Sequence, residues 1–259
     1  MRENMKITRK QLRRLIREST SHLQVSDFSL KAKQFDMRTG KIIDFIESEI
    51  GPTIGVGANR RVFLLRDDPS KVLKVSIYYT TDRLDYQHYG QGNNSKLVRS
   101  AEEYPEFFPR VYDHDSEMLM VLVDRIIPFD KVDPEIKEVV FKNNFSFISN
   151  LDYIFGNDVL ELLREDMIDI FDQVNFIYYL FERIIDWDDY PLVDALDSVG
   201  VDESEVRRII DRLFEIDPKV YRLKQYCEKF NTYIADLTGD DNIGFDNLND
   251  MNFKIIDVS

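Results

Sequence analysis

Four short stretches of this chain hold residue types suited to handling phosphate and a metal ion. The first is Gly55-Val56-Gly57-Ala58-Asn59-Arg60-Arg61-Val62. Glycine lets backbone amides approach phosphate oxygens closely, because no Cβ stands in the way. The same pattern also serves as a plain hairpin turn. A dinucleotide-binding fold or a Walker-type loop needs a helix directly after the glycines. Here the apolar run Val62-Phe63-Leu64-Leu65 follows and reads as a strand, so both fit poorly.

The second stretch is Val72-Leu73-Lys74-Val75. On a strand, Lys74 shares a face with Val72 and Ser76, opposite Leu73, Val75 and Ile77. A lysine in so apolar a strand needs an anionic partner or an exit to water. The third stretch opens with Asp236-Leu237 and continues through Gly239-Asp240-Asp241-Asn242-Ile243-Gly244; the fourth is Lys254-Ile255-Ile256-Asp257. An Asp just after a buried strand can offer oxygen to a hard cation. Each of the last two, taken alone, also describes a capped turn. His22, His88 and His114 lie far apart and show no ligand spacing. Trp187 sits among carboxylates in Asp186-Trp187-Asp188-Asp189-Tyr190, which suits packing better than base stacking.

The elements that must position these residues follow from periodicity. Residues 5–18 read as a short helix with Ile7, Leu12, Leu15 and Ile16 on one stripe and Thr8 with Gln11 as a capping box. Residues 19–40 are polar and Ser-rich and read as a linker. Ile42 to Ile50 fits a short amphipathic helix. Strands are expected over 62–65 and 71–77 around the turn Asp67-Asp68-Pro69-Ser70, and over 110–112 and 118–123 around Asp113–Glu117. Between these pairs lie a polar stretch with Gly90, Gly92, Asn93 and Asn94, then a helix near 95–104. Residues 134–231 are mostly helical, with Asp202 placed to cap a helix that has Glu205 three residues on. An irregular segment over 233–252 precedes a last strand at Phe253-Lys254-Ile255-Ile256.

Composition bounds the class. The chain has 259 residues, 12% of them aromatic, enough for one large domain or two coupled lobes. No apolar run approaches the ~18 residues of a membrane span, and no apolar segment of signal-peptide type follows the basic start. Cys227 is the only cysteine, which excludes an intrachain disulfide and a cysteine metal cluster and fits a reducing, cytoplasmic setting. Net charge is −14, unevenly placed. Residues 1–18 hold seven Lys/Arg against Glu3 and Glu18, leaving 27 Lys/Arg and 46 Asp/Glu, a net of −19, for the rest. So acidic a body disfavours broad nucleic-acid binding.

Taken in order, the four stretches resemble the protein-kinase-like superfamily: protein kinases, aminoglycoside phosphotransferases and small kinase-like proteins of bacteriophages. The resemblance covers roughly residues 51–130 and 218–259. It implies an α+β fold with a small antiparallel N-lobe (41–126) and a helical C-lobe (127–259), the chain stopping two residues after the metal-binding Asp. Gly55 and Gly57 match the first two glycines of the nucleotide loop, and Val62 the valine that packs on the base. Arg60 replaces the third glycine. Lys74 matches the strand lysine that contacts the phosphates. Val121-Leu122-Val123-Asp124-Arg125-Ile126 resembles the strand and hinge that bind adenine through backbone groups. Asp236 resembles the catalytic-loop Asp, Asn242 the metal-binding Asn and Asp257 the metal-binding Asp. The implied ligands are ATP and Mg²⁺, bound between the lobes, with a protein or small molecule as phosphoryl acceptor.

Besides Arg60, the chain departs from the family pattern in further places. Ile234-Ala235 stand where a His is expected before the catalytic Asp. Asp241 falls five residues after Asp236 and Asn242 six, so either the loop carries an insertion or Asp241 takes the metal role. Glu102 and Glu103 are the candidate helix partners for Lys74. No activation segment follows Asp257 in this sequence. These departures leave open a pseudokinase, a nucleotide-binding or virion-associated module without turnover. The basic segment 5–18 is similar to a leader found on proteins of large tailed phages. It suits docking to an acidic partner, nucleic acid or a membrane surface, and equally folding back on the acidic body.

Overall fold

The computed structural model describes residues 23–35, 40–57, 60–76, 85–167, 190–232 and 242–256. The expected basic helix over 5–18, the segment around Trp187, and Asp236, Asp241 and Asp257 lie outside the described residues. The fold is mixed α+β. It divides into two units, one within Met1–Val98 and Arg110–Arg125, the other within Arg99–Pro109 and Ile126–Ser259.

The first unit begins with helices α1 (Val25–Ala32) and α2 (Gly40–Glu49). Strands β1 (Thr53–Val56), β2 (Arg61–Leu64) and β3 (Lys71–Val75) follow, and β4 (Val111–His114) and β5 (Met120–Asp124) complete an antiparallel sheet ordered β1-β2-β3-β5-β4. Helix α3 (Asp85–Glu103) lies between β3 and β4 in sequence, and the division between units passes through it after Val98. One sheet face sends Phe63, Leu73, Val75, Met120 and Leu122 into a core with Val25, Phe28 and Ala32 of α1 and Ile42 and Ile46 of α2.

Two stretches differ from expectation. Where a polar linker is expected over 19–40, residues 25–32 form α1. Its polar positions are claimed by the β4–β5 hairpin. The Val25 amide donates to Asp113 at 2.7 Å, the Ser29 hydroxyl to Asp115 at 3.1 Å, and Lys33 pairs with Glu117 at 2.6 Å. Residues one helical turn apart thus meet carboxylates that alternate along the hairpin, a tertiary match that short-range periodicity does not display. Helix α3 also starts ten residues before the expected 95. Its Asn94, a poor helix former, is buried and donates to the Ser76 hydroxyl (3.2 Å) and the Met118 carbonyl (2.8 Å). Tertiary partners here outweigh local propensity.

The second unit holds β6 (Ile127–Pro128), α4 (Pro134–Asn144), α5 (Leu151–Phe155), α6 (Asn157–Met167), α7 (Tyr190–Ser198), α8 (Glu203–Ile216), α9 (Pro218–Phe230), β7 (Ile243–Phe245) and β8 (Phe253–Ile255). As expected, Asp202 caps α8, accepting from the amides of Ser204 and Glu205. Phe129, Phe141, Phe145, Phe245 and Phe253 form a buried aromatic cluster under the small sheet β6-β7-β8. Asn144 ties it together, donating to the carbonyls of Val140 and Met251 and accepting from the Phe253 amide and Lys219. Residues 99–109, expected in the N-lobe, belong to this unit. The Ile255 amide donates to the Phe107 carbonyl at 2.7 Å, and Arg222 pairs with Glu106 at 2.6 Å. Among the described residues no helix is long and apolar enough to cross a membrane.

Candidate functional site

The sheet register decides which candidate residues share a face. Gly55 stands opposite Val62, Val62 opposite Lys74, and Lys74 opposite Val121. Residues directly opposite in a ladder project to the same side. Gly55, Val62, Lys74 and Val121 therefore form one row, and Leu64, Val72 and Val123 the next. This is the face away from α1 and α2. Val72, Lys74, Val121 and Val123 are all buried. The strand β3 is thus covered on both sides, which explains why its sequence is almost continuously apolar.

The turn between β1 and β2 is closed by the Gly57 amide, which donates to the Arg60 carbonyl at 2.8 Å. Its glycines are not demanded by the chain itself. Neither Gly55 nor Gly57 has a positive φ. A Cβ built on Gly55 would meet Val62 at 3.5 Å, and one on Gly57 the Arg60 carbonyl at 3.6 Å, both ordinary contacts. Gly51 and Gly244 contrast with them. Gly51 sits at φ +149°, and its Cβ would fall 2.1 Å from the Leu64 carbonyl oxygen; a Cβ on Gly244 would fall 2.1 Å from that of Ile127. Those two glycines let strands and loops close up. Gly55 and Gly57 would each accept a Cβ at ordinary contact distance.

Lys74 is 4% exposed, and burial pushes its ammonium well below the ordinary lysine range; the Arg60 charge adds to that shift. Arg60 is itself 6% exposed, and burial pulls its pKa down to about 10. Desolvation disfavours both cations, and the Arg60 charge disfavours the Lys74 ammonium further. The sequence flagged Arg60 only as a replaced glycine. The signal that it belongs with Lys74 was its spacing of two from Val62, which puts the two on one side of an extended chain.

Asp124 does not bring its side chain to this face. It stands opposite Lys71, three residues from Lys74 and so on the other side of the sheet. Its carboxylate accepts from the Tyr112 hydroxyl at 2.7 Å and the Arg110 amide at 3.2 Å, joining β4 to β5. Desolvation, together with this bond, pushes the Tyr112 phenol up to about 12. Glu103, a candidate partner for Lys74, is engaged by Lys229 and, at 3.1 Å, by Arg99 within the second unit. Those bonds, the one from Lys229 foremost, hold its carboxyl below the usual range.

In the second unit, Asn242 immediately precedes β7, and its carbonyl accepts from the Ile256 amide at 2.6 Å. Asp257 is the next residue in sequence after Ile256. The strand β7, not foreseen within the irregular segment 233–252, supplies this arrangement. Asn242, Asp241 and Asp257 carry oxygen donors of the type that suits Mg²⁺, but Asp241 and Asp257 lie outside the described residues. Among the described residues alone, no group of three or more His, Cys, Asp or Glu could hold a metal ion.

No family model matches the chain, and no curated protein matches it.

Proposed function

We propose that this protein binds ATP with Mg²⁺ and transfers the γ-phosphoryl group, as a member of the protein-kinase-like class. The observation that carries this proposal is Lys74, buried on the third strand and in one row with Val62 and with a glycine turn whose glycines the chain does not need. A glycine loop over the first strands, a phosphate-binding lysine on the third strand and a helix directly after it are recurring kinase parts. The strand order β1-β2-β3-β5-β4, with α3 between β3 and β4 in sequence, agrees with that layout. In sequence, the stretch from Asp236 to Asn242, the hairpin β7–β8 and then Asp257 follow the family's order.

In this chemistry the protein supplies position and charge more than covalent bonds. Lys74 holds the phosphates by charge-assisted hydrogen bonds. Asn242 and Asp257, with Asp241 as the alternative to Asn242, would hold Mg²⁺, which neutralises charge on the phosphoryl oxygens when bound. Asp236 orients the acceptor hydroxyl and takes its proton as the acceptor oxygen bonds to the γ-phosphorus. The bond from that phosphorus to the β,γ-bridging oxygen breaks, and ADP departs. Calorimetric titration with ATP, with and without Mg²⁺, tests the proposal.

A second reading is a pseudokinase that binds nucleotide without turnover and acts as an interaction module. Glu103 favours it: active protein kinases pair the strand lysine with a helix glutamate, and of the two candidates, Glu102 and Glu103, the Glu103 carboxylate is engaged by Lys229 and Arg99. The Ile234-Ala235 sequence before Asp236 points the same way. Phosphotransfer to added acceptors separates the two readings.

A further inference from the structure

We propose that Asn94 of α3 is a positioning residue of the nucleotide site, its carboxamide oxygen accepting from the Lys74 ammonium when the phosphates are bound. This inference rests on the nucleotide reading above. It moves the helix partner of Lys74 from the glutamates at 102 and 103 to a neutral residue about two turns earlier.

Asn94 is fully buried in the middle of a helix. Its Nδ2 donates to the Ser76 hydroxyl at 3.2 Å and to the Met118 carbonyl at 2.8 Å. Its Oδ1 is buried and meets no hydrogen-bond donor among the described residues. A buried acceptor is rarely left so, because nothing replaces the water it gave up. Turning the amide over would not mend this, since the Met118 carbonyl can only accept. The two Nδ2 bonds therefore fix where the oxygen stands.

Ser76 sets that place. Its amide donates to the Leu119 carbonyl at 2.8 Å, one step beyond the pairing of Val75 with Met120, so the β3–β5 ladder runs on through residue 76. Ser76 thus projects to the same side as Lys74, two residues and roughly 6–7 Å away along the strand. Both are buried, and Lys74, Ser76, Asn94 and Met118 all belong to the first unit. Asn94 is thereby held on the Lys74 side of β3, within the span of a lysine's four-carbon stem. An ammonium has three N–H donors, so a bond to Asn94 is compatible with the phosphates and with the other interactions of Lys74. A neutral acceptor orients the ammonium without cancelling the charge that the phosphates need.

The test is calorimetric titration of the full chain with ATP in Mg²⁺, each variant shown to be folded by circular dichroism. Asn94→Ala is expected to bind ATP about tenfold more weakly than wild type. Asn94→Asp keeps an acceptor oxygen and loses only the Nδ2 bonds, so it should stay within about threefold of wild type. In a Lys74→Met background, Asn94→Ala should cost less than about twofold further. Folded Asn94→Asp that binds no better than Asn94→Ala would show a clamp acting through Ser76 and Met118 alone, and overturns the role assigned to the oxygen. So does an Asn94→Ala loss that is as large in Lys74→Met as in wild type, or an Asn94→Ala affinity equal to wild type; each leaves the nucleotide reading standing. If Asn94→Asp does not fold, the comparison in Lys74→Met decides. Wild-type protein that does not bind ATP overturns both.

Discussion

The Ile256 amide donates to the Asn242 carbonyl across 2.6 Å, one step beyond the pairing of Ile243 with Ile255 that ends the β7–β8 ladder. The backbone of Asn242, a candidate metal ligand, is thereby tied to a hairpin strand that ends shortly before Asp257 in sequence. Asp257→Asn should weaken the Mg²⁺-dependent part of ATP binding more than the metal-free part, because a neutral amide no longer balances a hard cation's charge. Titrations with Mg²⁺ and with EDTA measure the two parts. Equal losses in both would count against a metal role for Asp257.

Two classes of glycine should respond differently to alanine. Gly244→Ala forces a Cβ onto the Ile127 carbonyl and should cost at least about 1–3 kcal/mol of stability. Gly55→Ala and Gly57→Ala should each stay within about 0.5 kcal/mol in thermal melts, while reducing affinity for ATP. If they unfold the protein as Gly244→Ala does, the turn glycines are structural.

How much of this was legible in the sequence depends on where the determining contacts lie. The strands β2, β3 and β5 and the cap at Asp202 are local patterns, and they stand as expected. The helix α1 was hidden because its buried positions, Val25, Phe28 and Ala32, are few and its polar ones answer to Asp113, Asp115 and Glu117 some 85 residues away. The strand β7 is three residues long and holds a glycine, too short for any period to show. Lys74 was recognisable as an anomaly in an apolar strand. The burial of Arg60 was not, since in the sequence it stood out only as a replaced glycine.

That α1 belongs to the folded unit has a measurable consequence. Phe28→Ala removes a ring that is 7% exposed and stacks on Phe45 at 5.5 Å, and should cost about 3–5 kcal/mol. Denaturant melts report it. Deletion of residues 1–18, by contrast, should leave the melt of the first unit in place.

Nucleotide binding should take up protons. Burial and Arg60 hold Lys74 below its usual pKa in the free protein. A bound phosphate favours the charged ammonium and raises that pKa. Near and above the free-state pKa, a proton must therefore enter with ATP, and affinity must fall as pH rises. Titrations in buffers of different ionisation enthalpy measure the uptake. Lys74→Met should abolish its share; proton release on binding would contradict the assignment.

If ATP turns over, the rate should be slow, because a one-residue shift between Asp236 and Asn242 displaces a ligand and errors of ~1 Å can cost on the order of a hundredfold. Asp236→Ala should abolish turnover with little change in ATP affinity. Phosphotransfer that survives Asp236→Ala would rule out that residue as the proton acceptor.

The most direct measurement is ATP affinity of the wild-type chain and of Lys74→Met, each in Mg²⁺ and each shown to be folded by circular dichroism. Wild type should bind, more tightly with Mg²⁺ than without, and Lys74→Met should lose roughly tenfold or more, since one charge-assisted contact disappears. Absence of wild-type binding, or equal binding by folded Lys74→Met, would contradict the account.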